Sequence, residues 1–218
     1  MFFIYLAHIL LFMKILYTFF IITFSVFIGK AQNPDDIVYI PDSNFKTRLL
    51  YANVWNNVAE NAAGFNMKID INNDNEIQVS EALLVRKINV HNGGYIQSME
   101  GISAFTNLIS LNCSFNGLSS LDVSALPNLK ILDCSRNNIS SLNVTGLVNL
   151  EELNCFLNSL TSLSIGSLSS LKKLECSGNQ LLFLNLSGLS NLIEAYCGHN
   201  QISSLSISKI CIADYGFC

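Results

Sequence analysis

With 218 residues and 16 acidic against 12 basic side chains, a net charge of −4, the chain lacks the basic stripe that nucleic-acid phosphates or an anionic lipid surface would need. Half of its residues are apolar, a fraction inflated by the first 28, so the remainder suits one elongated domain and not several.

Phe2 to Phe12 and Ile15 to Ile28 are almost wholly apolar, broken by Lys14, and Gly29-Lys30-Ala31 ends the run on small residues. This pattern predicts a secretory signal peptide over 1–31, cleaved after Ala31, with Met13 as an alternative start; an uncleaved membrane anchor is the rival reading. Cleavage removes Lys14 and Lys30, leaves 10 basic against 16 acidic residues, and leaves nothing to insert into a membrane. The expected location is secreted or on the outer cell surface.

An N-terminal cap is expected over 32–84. Ile37-Val38-Tyr39-Ile40 predicts a short strand ended by Pro41. Asp42 or Ser43 then caps a helix through about Asn57, whose apolar side is Phe45, Leu49, Leu50, Val54 and Val58. Such a helix would cover the open end of whatever follows. Asn56 to Asn66, rich in Asn, Ala and Gly, reads as a loop.

Residues 70–81 carry the one ligand-like spacing. Asp70, Asn72 and Asp74 put side-chain oxygens at positions 1, 3 and 5, Glu76 a backbone carbonyl at 7, and Glu81 a long carboxylate at 12. Hard Ca²⁺ takes six to eight such oxygens. The stretch resembles the calcium loop of EF-hand and dockerin modules, with Asn75 standing where that pattern has Gly. The alternative is an acidic, Asn-rich turn that holds no ion.

From Val79 a short helix leads into an irregular first coil of 23 residues, in which Ile88 and Val90 align with Leu111 and Cys113. After it the sequence repeats every 21 residues: NLISLNCSFNGLSSLDVSALP from Asn107, NLKILDCSRNNISSLNVTGLV from Asn128, NLEELNCFLNSLTSLSIGSLS from Asn149. A unit this short cannot bury its apolar face alone and must stack on copies of itself, which predicts a solenoid over 85–210. Leu111, Leu132, Leu153 and Leu174 precede Cys113, Cys134, Cys155 and Cys176 by two, the period of a strand with one buried face. With Cys197 the cysteines form one inward column, expected as five buried thiols: parallel strands lie about 4.8 Å apart, while a disulfide wants Cβ atoms about 3.8 Å apart. Cys211 and Cys218 fall outside the frame and are left open between free thiols and a mutual pair.

The motif L-x-x-L-x-C-x-x-N-x-L-x-x-L-x-V-x-x-L resembles the leucine-rich repeat, in its short bacterial variety. The fold class implied is α/β: a leucine-rich repeat solenoid with short parallel strands on one face and a small helical N-terminal cap. Asn116, Asn137, Asn158, Asn179 and Asn200 match the family's asparagine, whose amide is expected to bond backbone where each strand turns away. Cap and repeats together, from IPDSNFKTRLL onward, resemble secreted proteins of Bacteroidetes-type bacteria that often end in a sorting domain. Here 211–218 reads as an irregular or truncated C-terminus.

Function is expected from side chains that point outward. Among these Phe115, Arg136, Phe156, Leu157, Tyr196 and His199 stand out as candidate partner-binding residues, because aromatics and Arg are the usual anchors of interfaces. Catalysis is not expected. His91 and His199 are five strand steps apart, about 24 Å, and no nucleophile elbow, zinc helix or phosphate loop occurs. The reading is a recognition or adhesion module for a protein or glycan; the alternative is a passive spacer or a fragment of a larger surface protein.

Overall fold

The computed structural model describes residues 33–206. The expected leader over 1–31, Ile207 to Ile210 of the last coil, and Cys211 and Cys218 lie outside the described residues. Everything below belongs to the unit Pro34–Cys218.

The chain winds as a stack of coils, each entered by a three-residue strand. Strands β2 (Lys87–Asn89), β3 (Ser110–Asn112), β5 (Ile131–Asp133), β7 (Glu152–Asn154), β8 (Lys173–Glu175) and β10 (Glu194–Tyr196) pair in parallel into one sheet. Their register follows the repeat: Ile88 faces Leu111, Leu111 faces Leu132, Leu132 faces Leu153, Leu153 faces Leu174 and Leu174 faces Ala195. On the return side β4 (Ser120–Asp122) pairs with β6 (Ser141–Asn143), and β9 (Phe183–Asn185) with β11 (Ser204–Ser206). The apolar columns fill the space between; Leu118, Ile139, Leu160 and Leu181 have no exposed surface. Full burial of each such side chain contributes about 1.5–3 kcal/mol, and only neighbouring coils supply the cover.

The predicted asparagine column ties these coils together. Asn137 donates through Nδ2 to the carbonyls of Cys113 at 3.1 Å in the preceding coil and of Cys134 and Ser135 in its own, while its Oδ1 accepts the Leu118 N–H at 3.1 Å. Asn116, Asn158, Asn179 and Asn200 make the same kind of bridge. Each buried amide thus satisfies the backbone groups that a bend would strand.

The cap departs from the sequence reading in three places. Ile37–Ile40 forms a single bridge, Ile37 to Gln78, and no full strand; Val38 and Ile40 still point inward and Val38 N–H reaches the Ile77 carbonyl at 2.8 Å. Helix α1 spans Ser43–Leu50, capped by Asp42, and stops well before Asn57. The side-chain amides of Asn53 and Asn56 both take the Tyr51 carbonyl, at 3.0 and 2.8 Å, which turns the chain out of the helix and leaves Val54 and Trp55 exposed. This is the local competition for backbone that disfavours Asn in helix interiors. The expected loop 56–66 contains a two-residue strand, β1 (Ala59–Glu60), antiparallel to β2. It covers the free edge of the first parallel strand.

Asp42 also fastens the cap to the first coil. Its Oδ1 accepts the Phe45 N–H at 2.9 Å, and its Oδ2 those of Gln97 and Ser98 at 2.8 and 3.0 Å. Burial pushes this carboxyl up, but the backbone donors outweigh it and hold it below the usual value. A second helix, α2 (Val79–Ala82), closes the 70–81 loop. Among the described residues no helix is long and apolar enough to cross a membrane.

Candidate functional site

The parallel sheet forms the floor of a shallow groove of about 630 Å³, lined by Lys87, Asn112, Ile131, Asp133, Glu152, Asn154, Lys173, Glu175 and Tyr196. Much of its charge is already matched. Lys87 lies 2.6 Å from Glu60 and Lys173 3.5 Å from Glu194. Asp133 accepts both the N–H and the hydroxyl of Ser135, at 3.0 and 2.7 Å.

Where each strand ends, one residue per coil takes the left-handed conformation: Asn92, Phe115, Arg136, Leu157, Gly178 and His199, at φ of 47° to 68°. L-residues resist that region. Here it is enforced from both sides, since Phe115, Arg136 and Leu157 donate their N–H to the next coil at 2.8–3.0 Å and each is followed by an inward asparagine. The turn throws these side chains outward into a ridge along the groove. Arg136 lies between two rings, its Cζ 4.7 Å from the Phe115 centroid and 5.4 Å from that of Phe156. His91 meets Phe115 from the previous coil, centroids 5.0 Å apart at 75°.

Three of the six predicted contact residues, Phe115, Arg136 and Phe156, therefore form one stack. Leu157 lies next along, over Gly178, where an added Cβ would sit 2.7 Å from its Cδ2. Tyr196 stands apart on the groove floor, its hydroxyl 3.4 Å from Glu194, and His199 is exposed on the last strand's turn. His91 is the member that sequence reasoning left out; its place in the same column as Phe156 was the available signal.

His91 also brings a serine and a histidine together, with Nδ1 2.8 Å from Ser114 Oγ. That hydroxyl is buried and donates to Asn112 Oδ1 at 2.6 Å. Its proton is directed away from the imidazole, so the pair is not a nucleophile with its base.

At 70–81 the donors are all oxygens, the chemistry a hard cation prefers, and Asn75 adopts φ 64°, the turn for which the pattern uses Gly. The carboxylates lie on backbone donors: Asp70 on the N–H groups of Asn73, Asp74 and Asn75, and Glu81 on those of Ile71, Asn72 and Gln78. Asp74 is held below its usual value chiefly by the Glu76 N–H at 2.8 Å. Among the described residues no three of His, Cys, Asp and Glu converge as they would on a metal.

Comparison with known proteins bears on the coils. The family model for two copies of leucine-rich repeats matches residues 106–146. The functional domain of InlJ from Listeria monocytogenes, whose structure is described as including a cysteine ladder, aligns with 80% of this chain at 26% identity and a TM-score of 0.60. The coil array is a leucine-rich repeat solenoid. The LRIM1/APL1C complex matches 56% of the chain at 24% identity and a TM-score of 0.51, a likeness of fold. A leucine-rich repeat protein of Leptospira interrogans matches 62% at 20% identity and a TM-score of 0.41. The chain spans 38% of the Listeria domain, 24% of the matched chain in the second and 45% of the third. No curated protein sequence matches.

This leucine-rich repeat solenoid likewise stacks its cysteines in one internal row. Cys113, Cys134, Cys155 and Cys176 are free and buried. Burial pushes all four thiols far up, Cys176 to about 12. The fifth rung corrects the sequence reading: Cys197 is disulfide-bonded. The spacing argument holds among the other four rungs, which are all free thiols.

Proposed function

We propose that the chain is a secreted or cell-surface binding module that docks a protein or glycan partner on its concave strand face and performs no catalysis. One observation carries the reading: Phe115, Arg136 and Phe156 from three successive coils converge into an aromatic and cationic ridge, the first two exposed and Phe156 half-buried, beside an open groove. Anchors of these types dominate interface energies, and a core needs none of them outside. Recognition is what a leucine-rich repeat surface of this shape can do; the Ser114–His91 arrangement is a turn brace.

A pull-down with the full-length chain and with the Phe115→Ala, Phe156→Ala, Tyr196→Ala triple variant tests it. The expected outcome is a partner retained by the first and lost by the second. A chain that retains no partner is a spacer, and the proposal fails.

Ca²⁺ belongs to the same reading as a structural ligand of the cap, held by Asp70, Asn72, Asp74, the Glu76 carbonyl and Glu81. What supports it is the oxygen donor set, the left-handed Asn75 and the burial of Asp70 and Glu81. Bound at a Kd of about 10⁻⁴ M, 10 mM Ca²⁺ would stabilise the fold by roughly 2.7 kcal/mol. Melting with 10 mM Ca²⁺ and with excess chelator should therefore differ by several degrees; identical midpoints would remove calcium from the account.

A further inference from the structure

Lysines on the coils around Arg136 are paired: Lys130 and Lys172 with Glu151, at 3.1 and 2.6 Å, and Lys173 with Glu194. The Arg136 guanidinium has no hydrogen bond or ion pair among the described residues. The acid nearest it in sequence, Asp133, is held by Ser135. Its guanidinium carbon lies 4.7 and 5.4 Å from the Phe115 and Phe156 ring centroids and the side chain is exposed, so the edge of its N–H donors is open to a partner. That edge is a planar fork of donors whose natural complement is a carboxylate taken through two parallel hydrogen bonds.

We propose that this ridge binds an acidic side chain of a protein partner, its carboxylate on the edge of Arg136 and its apolar neighbours against the rims of Phe115 and Phe156 and against Leu157. The proposal rests on the docking reading above and supplies the chemistry of the partner. A phosphate fits less well, because Glu152 and Glu175 on the adjoining groove floor would repel a doubly charged group more than a carboxylate. A sugar fits less well too. Carbohydrate stacking needs a bare ring face, and Phe115 already has Arg136 and His91 against it.

The test is selection of random twelve-residue peptides on the full-length chain, followed by affinity measurement with the selected peptides in synthetic form. Peptides carrying Asp or Glu are expected. Replacing that acid by its amide should weaken binding roughly 10-fold, the scale of a charge-assisted pair. Arg136→Lys, which keeps charge but loses the planar fork, and Arg136→Ala should each cause a similar loss without shifting the melting midpoint by more than a few degrees. The peptide and protein changes should not add, since both delete one contact. Selected peptides without an acid, affinities indifferent to Arg136, or tighter retention of polygalacturonate or of a phosphoserine peptide would overturn the inference. If Phe115→Ala or Tyr196→Ala weakens binding while Arg136→Lys does not, docking on this face stands and only the carboxylate contact falls. If nothing is retained, both fall.

Discussion

Consecutive residues at the strand exits do opposite work. Arg136 points out and Asn137 in; Phe115 and Asn116, Leu157 and Asn158 repeat the division. The inward member is asparagine in every coil from Asn116 to Asn200, because its amide meets the same backbone groups above and below; Gly93 stands there in the irregular first coil. The outward member meets side chains only, so it changes from coil to coil. In the inner row every polar atom is matched by the fold; along the ridge one cation is stacked but not hydrogen-bonded. Substitution should accordingly damage stability on one side and recognition on the other.

The largest expected effect comes from the thiols of the inner row. Unfolded cysteines titrate near 9.0, whereas burial holds the folded ones well above, Cys176 at about 12. Below pH 9 both states keep the proton and nothing is lost. As pH rises from about 9 towards 12 the unfolded chain releases protons that the folded chain retains, so stability falls. The slope is about 1.4 kcal/mol per pH unit for each thiol, and approaches 5–6 for four. Denaturant titrations between pH 8 and 11 measure it, and Cys155→Ala should remove one thiol's share. A flat profile would mean that the row is open to water.

Next in size is Asn137→Ala. It leaves the buried Leu118 N–H without its acceptor and takes one of two amide donors from the carbonyls of Cys113 and Cys134, which keep Asn116 and Asn158, for about 2 kcal/mol, or roughly 4–8 °C in Tm. Smallest is Arg136→Ala, one residue earlier, which forfeits stacking worth about 0.5–1 kcal/mol and should lower Tm by no more than about 4 °C. Should these two neighbours cost the same in a melting experiment, the division between inside and outside would not hold.

The coils were legible because period converts directly into place: a residue 21 later is the same residue one strand over, and Leu111, Cys113 and Asn116 needed no further information. The cap lacks that redundancy. Ala59 and Glu60 have no strand-like pattern, and their pairing is imposed by Ile88 and Lys87, far along the chain. Val54 and Val58 continue the helical spacing of Phe45 and Leu49, but Asn53 and Asn56 draw the chain out of the helix through contacts that spacing does not record. Phe115, Arg136 and Phe156 were visible as outward residues. Their convergence was not, because it depends on left-handed turns in successive coils, and an outward column looks alike whether its members touch, as these do, or stand apart like Tyr196 and His199.

Antiparallel β1 has a consequence for assembly. The free edge of β2, where a coil of a second molecule would otherwise pair, is taken by two residues running the other way. End-to-end joining of two molecules through β2 is thereby blocked.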